Sequence, residues 1–249
     1  MKDVNDPGRI MHEAFHVAQS GRPGPVLVDI PKDVQLQRIA VSRWPEPGCA
    51  QAAPAPDADK IAQAAQMINQ AKRPILYLGG GVVHSGASEA AVTLAEQASL
   101  PTTMTLMALG AMPVDHPLSL GMLGMHGAPY TNLALEECDL LIAVGARFDD
   151  RVTGRLDAFS PGSKKIHIDI DPSSINKNVR ADVPIVADCG KALAALARAW
   201  ARKVAKAPDL RPWWKQIDAW RARKGFAYPA SKTLIKPQYA IERLYALTR

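Results

Sequence analysis

The chain has 249 residues, 47% hydrophobic and 22% charged, which suits one or two domains and is too long for one small core. No apolar run approaches the roughly 20 residues of a bilayer-crossing helix, and MKDVNDPGRI lacks the apolar stretch of a secretion signal, so a cytoplasmic protein with no membrane partner is expected. The formal net charge of +6 is uneven, because residues 198–249 hold 13 lysines and arginines against 3 acids while the remainder holds 17 against 21.

In chain order, DPGRIMHEAFHVAQSG reads as an opening helix, with Pro7 in its first turn and Gly21 as its stop. GPVLVDIP follows as a buried strand, Pro25–Ile30. From Val41 to Asp57 four prolines and no apolar period mark an interdomain linker, with a domain boundary near residue 58.

A regular alternation then begins. Helix ADKIAQAAQMINQA leads to strand PILYLGGG, helix SEAAVTLAEQAS to strand PTTMTL, and helix APYTNLALEEC to strand DLLIAVGARF. Strands KKIHIDID and VPIVAD and the helix GKALAALARAWARKVAKA complete it. Strands that are almost wholly apolar must be covered on both faces, which predicts an α/β doubly wound parallel sheet. Past residue 198 the basic residues fall mostly at helical spacing, with Trp200, Trp213, Trp214 and Trp220 between them. That pattern favours a solvated helix face with aromatic anchors over a nucleic-acid tail. KPQYAIERLYALT reads as a last helix, and the apolar faces at both ends of the chain lead to the expectation that further sequence covers them.

In such a sheet, ligands sit outside the carboxyl ends of the strands, so the residues there form a functional test. The first strand ends in Gly79, Gly80 and Gly81, whose bare backbone suits either a phosphate or flat ring or simply a tight turn; the strict GxGxxG spacing is absent. GMLGMHG, after Leu120, is either a soft loop against an aromatic cofactor or a small-residue surface crossing. VGARFDDRVTG presents Arg147 and Arg151, suited to a pyrophosphate, beside Asp149 and Asp150, which suit sugar hydroxyls or the arginines themselves. Asp169, Ile170 and Asp171 end another strand, and Asp188 is either a hydroxyl acceptor or a helix N-cap. Glycine or charge at every strand end points to a dinucleotide pocket. The histidines 84, 116, 126 and 167 show no partner in sequence, no nucleophile–base pair or metal cluster emerges, and Cys49, Cys138 and Cys189 read as reduced thiols.

SGRPGPVLVDIPKDVQ, YLGGG, TLMALG, GMLGMHG, GARFDDRVTG and HIDIDPSSINKN, in this order, resemble the large catalytic subunit of the acetolactate synthase family, flavin-containing thiamine-diphosphate enzymes. The resemblance implies condensation of two pyruvates, or pyruvate and 2-oxobutyrate, with loss of carbon dioxide. It also implies a homo-oligomer, dimer or tetramer, and a small regulatory subunit.

By the same resemblance, residues 1–31 correspond to the end of a pyrimidine-binding domain, 32–57 to a linker, and 58–195 to a Rossmann-like FAD-binding central domain. Residues 196–236 correspond to a second linker and 237–249 to the start of a diphosphate-binding domain. Arg22, Gly79 to Gly81, Thr105, Leu106, Leu123, Gly124, Met125, His126, Gly145, Ala146, Arg147, Phe148, Asp149, Arg151, Asp169, Ile170, Asp188 and Cys189 would line FAD. Lys32, Met125, Asp150 and Arg151 would face the substrate channel. The residues for thiamine diphosphate and Mg²⁺ would lie outside this chain, which carries no GDG motif, so the isolated chain is expected to be inactive.

Overall fold

Strand β1, Pro74–Leu78, is buried at all five residues, and so is β4, Leu140–Val144. Residues without a solvated face must lie mid-sheet, and these two pair with each other in parallel, Leu76 opposite Ile142. The computed structural model describes residues 1–40, 46, 52–203, 208–223 and 225–248. Strands β2 (Thr102–Met104), β3 (Ser119–Met122), β5 (Lys164–Asp169) and β6 (Val183–Val186) complete a parallel sheet ordered β3-β2-β1-β4-β5-β6. The expected doubly wound architecture is therefore present.

Helices cover both faces, and the strand alternation sorts the core into two layers. Leu76, Leu78, Ile142, Val144, Ile166 and Ile168 face α3 (Ala58–Gln70), α5 (Ser88–Ala98) and α8 (Cys189–Lys203). Ile75, Tyr77, Leu141 and Ala143 join Leu135 of α6 (Pro129–Glu137) and Trp213 and Ile217 of α9 (Arg211–Arg221) in the other. Each large side chain so buried contributes roughly 1.5–3 kcal/mol. The helices start where orphan N–H groups find acceptors. Asp57 accepts from Asp59 and Lys60 at 2.9 and 3.1 Å, and Asp188 accepts from the N–H of Lys191 at 2.9 Å.

Several expectations need correction. Pro25–Ile30 forms no strand, because no neighbouring strand offers it a ladder; Leu27 is 89% exposed. Helix α1 (Pro7–Gln19) forms as expected but buries no residue, and the same holds for α10 (Pro237–Thr248). The segment read as linker from 32 contains α2 (Lys32–Gln35) with Val34 buried, while residues 41–45 and 47–51, including Cys49, lie outside those described. The segment 196–236 contains the end of α8 and all of α9, whose Trp213 and Ile217 complete the core. GMLGMHG was read wholly as a loop, but its first two residues, Gly121 and Met122, end the edge strand β3. The glycine run enters a short helix, α4 (Gly80–His84), and the charged stretch another, α7 (Asp150–Thr153). No helix among the described residues is long and apolar enough to cross a membrane.

Candidate functional site

The order 3-2-1-4-5-6 reverses direction between β1 and β4, and the segments leaving those two strands pack on opposite faces, Val82 in one layer and Ala146 and Phe148 in the other; in this fold that is where ligands enter. The backbones meet closely there. Gly79 N–H donates to Val144 O at 2.8 Å, Gly81 N–H to Gly145 O at 3.0 Å, and Gly145 N–H to Ile168 O at 2.8 Å. A Cβ on Gly79 would stand 2.1 Å from Gly145 O, and one on Gly81 2.7 Å from Gly145 Cα. Glycine at 79 and 81 is thus required by the neighbouring strand end, and these two N–H groups are used within the chain rather than offered to a phosphate. A Cβ on Gly80 would lie 3.1 Å from Met107 Cβ, the tight turn into α4.

The two loops that carry most of the remaining candidates dock on each other. Met125 N–H donates to Arg151 O at 2.9 Å, and a Cβ on Gly124, whose φ is 85°, would meet the same carbonyl at 2.5 Å. Asn132 grips the Gly124 backbone, its Oδ1 accepting from Gly124 N at 2.8 Å and its Nδ2 donating to Gly124 O at 2.9 Å. Asn132 and this grip carried no signal in the sequence, since an asparagine early in a helix is ordinary. Met125, His126, Arg147, Asp150 and Arg151 are exposed around this junction.

Asp149 resolves between its alternatives. It caps α7, accepting from Arg151 N–H at 3.2 Å, and it pairs with the Arg147 guanidinium. The Arg151 N–H first, then the charge of Arg147 among further contributions, holds its carboxyl below the usual carboxylate range.

On the β5–β6 side, Asp169 and Asp188 approach the Cys189 thiol. Burial first, then those two carboxylates, push it up to about 12, so Cys189 is a packed thiol and no nucleophile. Ser85, absent from the sequence-derived candidates, pulls the thiol the other way, while its hydroxyl donates to Val82 O at 3.2 Å. Asp171 is held low by Ser173 first, and the charge of Arg22 in the N-terminal segment adds to this. Thr105 follows β2 with its hydroxyl buried and without a partner, and Leu106 beside it is exposed.

Other candidates go elsewhere. The side chains of Leu123, Ala146 and Phe148 are buried in the α6–α9 layer, leaving only their backbone to a ligand. Ile170 is half-buried after β5, and Lys32 is exposed at the start of α2. Two histidines do have partners: His116 Nε2 lies 3.2 Å from Glu96 Oε1, and His167 Nε2 2.8 Å from Ala146 O. Among the described residues no group of three or more His, Cys, Asp or Glu could hold a metal ion. Two cavities, of about 450 and 660 Å³, lie away from the strand ends, one beside Trp214 and one within 226–242.

A doubly wound parallel sheet with glycines, acids and a basic loop gathered at its switch point defines the class of α/β domain. Residues 61–196 match the family model described as the central domain of thiamine pyrophosphate enzymes, and the chain belongs to that family. Its similarity is to large subunits of acetolactate synthase. It is 45% identical to that of Parasynechococcus marenigrum over 96% of this chain and 39% of the relative. The isozyme 1 large subunit of Escherichia coli is 52% identical over 79% and 34%, and the chloroplastic acetolactate synthase 1 of Zea mays 44% identical over 99% and 39%. The chain thus spans about two fifths of the length of the relatives it matches.

Proposed function

We propose that this chain is the FAD-holding part of an acetolactate synthase, in which two pyruvates join to 2-acetolactate and one carbon dioxide leaves. The observation that carries the reading is the mutual docking of the Leu123–His126 and Gly145–Arg151 loops beside the switch point. Arg147 and Arg151, exposed at this junction, support the reading, since guanidinium groups suit an anionic pyrophosphate. The orphaned Thr105 hydroxyl fits the same group, since a buried hydroxyl without a partner is costly unless a ligand supplies one. Arg22, whose charge acts on Asp171, would close the pocket from the N-terminal segment.

FAD bound there acts as a structural group and supplies no net redox step to the condensation. Gly124, Met125, His126, Arg147 and Arg151 would hold it, Asp169 and Asp188 would accept from its hydroxyls, and Lys32, Met125, Asp150 and Arg151 would border the path to substrate. In the whole enzyme the condensation also needs thiamine diphosphate and Mg²⁺, and the described residues offer no metal cluster for them. The assembly proposed for the whole enzyme is a homo-oligomer with a regulatory subunit.

The test is the absorbance spectrum of the purified chain during titration with FAD. Saturable binding with a perturbed flavin spectrum, and no acetolactate from pyruvate, thiamine diphosphate and Mg²⁺, is the expected outcome. Binding of ADP or NAD without FAD would replace the reading with a free-standing adenine-nucleotide module, and acetolactate formation would overturn the inactivity of the chain.

A further inference from the structure

A buried side chain of β5 meets the backbone of the charged loop after β4. His167, in the middle of β5, is fully buried, with Nε2 2.8 Å from Ala146 O. A carbonyl can only accept, so Nε2 carries the proton and Nδ1 is a buried acceptor without a partner. The imidazole also meets Phe148 edge-on, with centroids 4.9 Å apart and planes at 76°.

Phe148 is the strained residue of this loop. Its φ of 54° lies in the left-handed region, which a bulky side chain rarely adopts. Such a conformation persists only where its surroundings over-determine it. Here they do, because Tyr77 and Phe159 close on the ring at 5.8 and 5.9 Å and Asn178 Nδ2 donates to Phe148 O at 2.9 Å. The result is an alternation in which Ala146 and Phe148 are buried while Arg147 is exposed and Asp149 half-exposed.

We infer that His167 is a positioning residue of this loop: by donating to Ala146 O and wedging Phe148, it fixes the outward aim of Arg147 and Asp149. The hold works through one N–H of a neutral ring. Burial lowers the basicity of His167, and the opposing pull of Asp169 does not reverse this. What the loop is aimed at rests on the FAD reading above; the hold itself does not.

The experiment compares the full chain with His167→Leu, which cannot donate, and His167→Gln, whose amide reaches the Nε2 position. Amide hydrogen exchange is followed over 146–153, with 58–70 in α3 as an internal reference. In His167→Leu, exchange over 146–153 should rise about tenfold or more with 58–70 unchanged, and His167→Gln should return it most of the way. No change, an equal rise in both segments, or no recovery with Gln overturns the inference. If the Leu variant does not fold, His167→Asn, polar but too short to reach Ala146 O, takes its place with the same criteria. FAD titration of the same proteins separates the two claims. Affinity lost with Leu and regained with Gln supports both, whereas an unsubstituted chain that binds no FAD removes the FAD reading while exchange still decides the role of His167.

Discussion

Thr105 shows how a single atom distinguishes a site from a scaffold. A buried hydroxyl without a partner costs stability, on the order of 1–3 kcal/mol, and valine is close to the same shape without that cost. Thr105→Val should therefore raise the thermal midpoint of the ligand-free chain while weakening FAD binding, checked by calorimetry and flavin titration on one preparation. A midpoint that falls, or an affinity that holds, would make Thr105 an ordinary core residue. At this scale the sequence was informative about location and less so about role. It left Gly79 and Gly81 open between a phosphate or ring contact and a tight turn, whereas what requires glycine there is Gly145, 64 or more residues later, whose backbone fills the space a Cβ would take. Asp188 was open between hydroxyl acceptor and cap, and Asp149 between sugar hydroxyls and the arginines; Asp188 caps α8, and Asp149 pairs with Arg147 while also capping α7. The positive φ of Phe148 left no trace in a sequence where glycine would have announced it.

Among the elements, α9 does more than its reading as part of a linker implied. Its Arg221 lies over the rings of Tyr130 and Trp214, 5.5 and 5.7 Å from their centroids, and donates to Ser119 O on the free edge of β3. An uncovered sheet edge invites pairing with other chains, and this guanidinium blocks one of its acceptors. Arg221→Ala should cost about 1–2 kcal/mol, a fall of roughly 2–8 °C in the midpoint, and should increase self-association measured by light scattering. An unchanged midpoint and scattering would refute this. The central strands were legible because β1 and β4 are continuous apolar runs. Strand β3 was not, since Ser-Leu-Gly-Met at an edge lacks both alternation and a β-branched bias. Pro25–Ile30 shows the converse, strand-like residues without a neighbour to bond.

For the molecule as a whole, the family match ends at residue 196, whereas the packed unit continues through α9. Two chains starting at 52, one ending at 203 and the other at 223, isolate that helix. The shorter should lose about 3–5 kcal/mol, the cost of emptying a buried tryptophan site, measured by denaturant unfolding. Equal midpoints would show that α9 is a passenger. The architecture was readable because nearly all-apolar strands demand a covered parallel sheet, and the same sheet directs the search for a candidate site to its strand ends. The order of strands gave no local sign in the sequence; it follows from how the crossovers wind and sets the switch point at β1 and β4.

The hydrogen bond from Trp213 Nε1 to Pro74 O, 3.1 Å long, joins residues 139 apart. During synthesis at about 5–20 residues per second, that separation is a wait of roughly 7–28 seconds. Throughout it, the underside of the first central strand, Ile75 and Tyr77, has emerged from the ribosome without its final cover. The nascent chain is then exposed to chaperones, and to wrong partners, along a strand that is later buried at every residue.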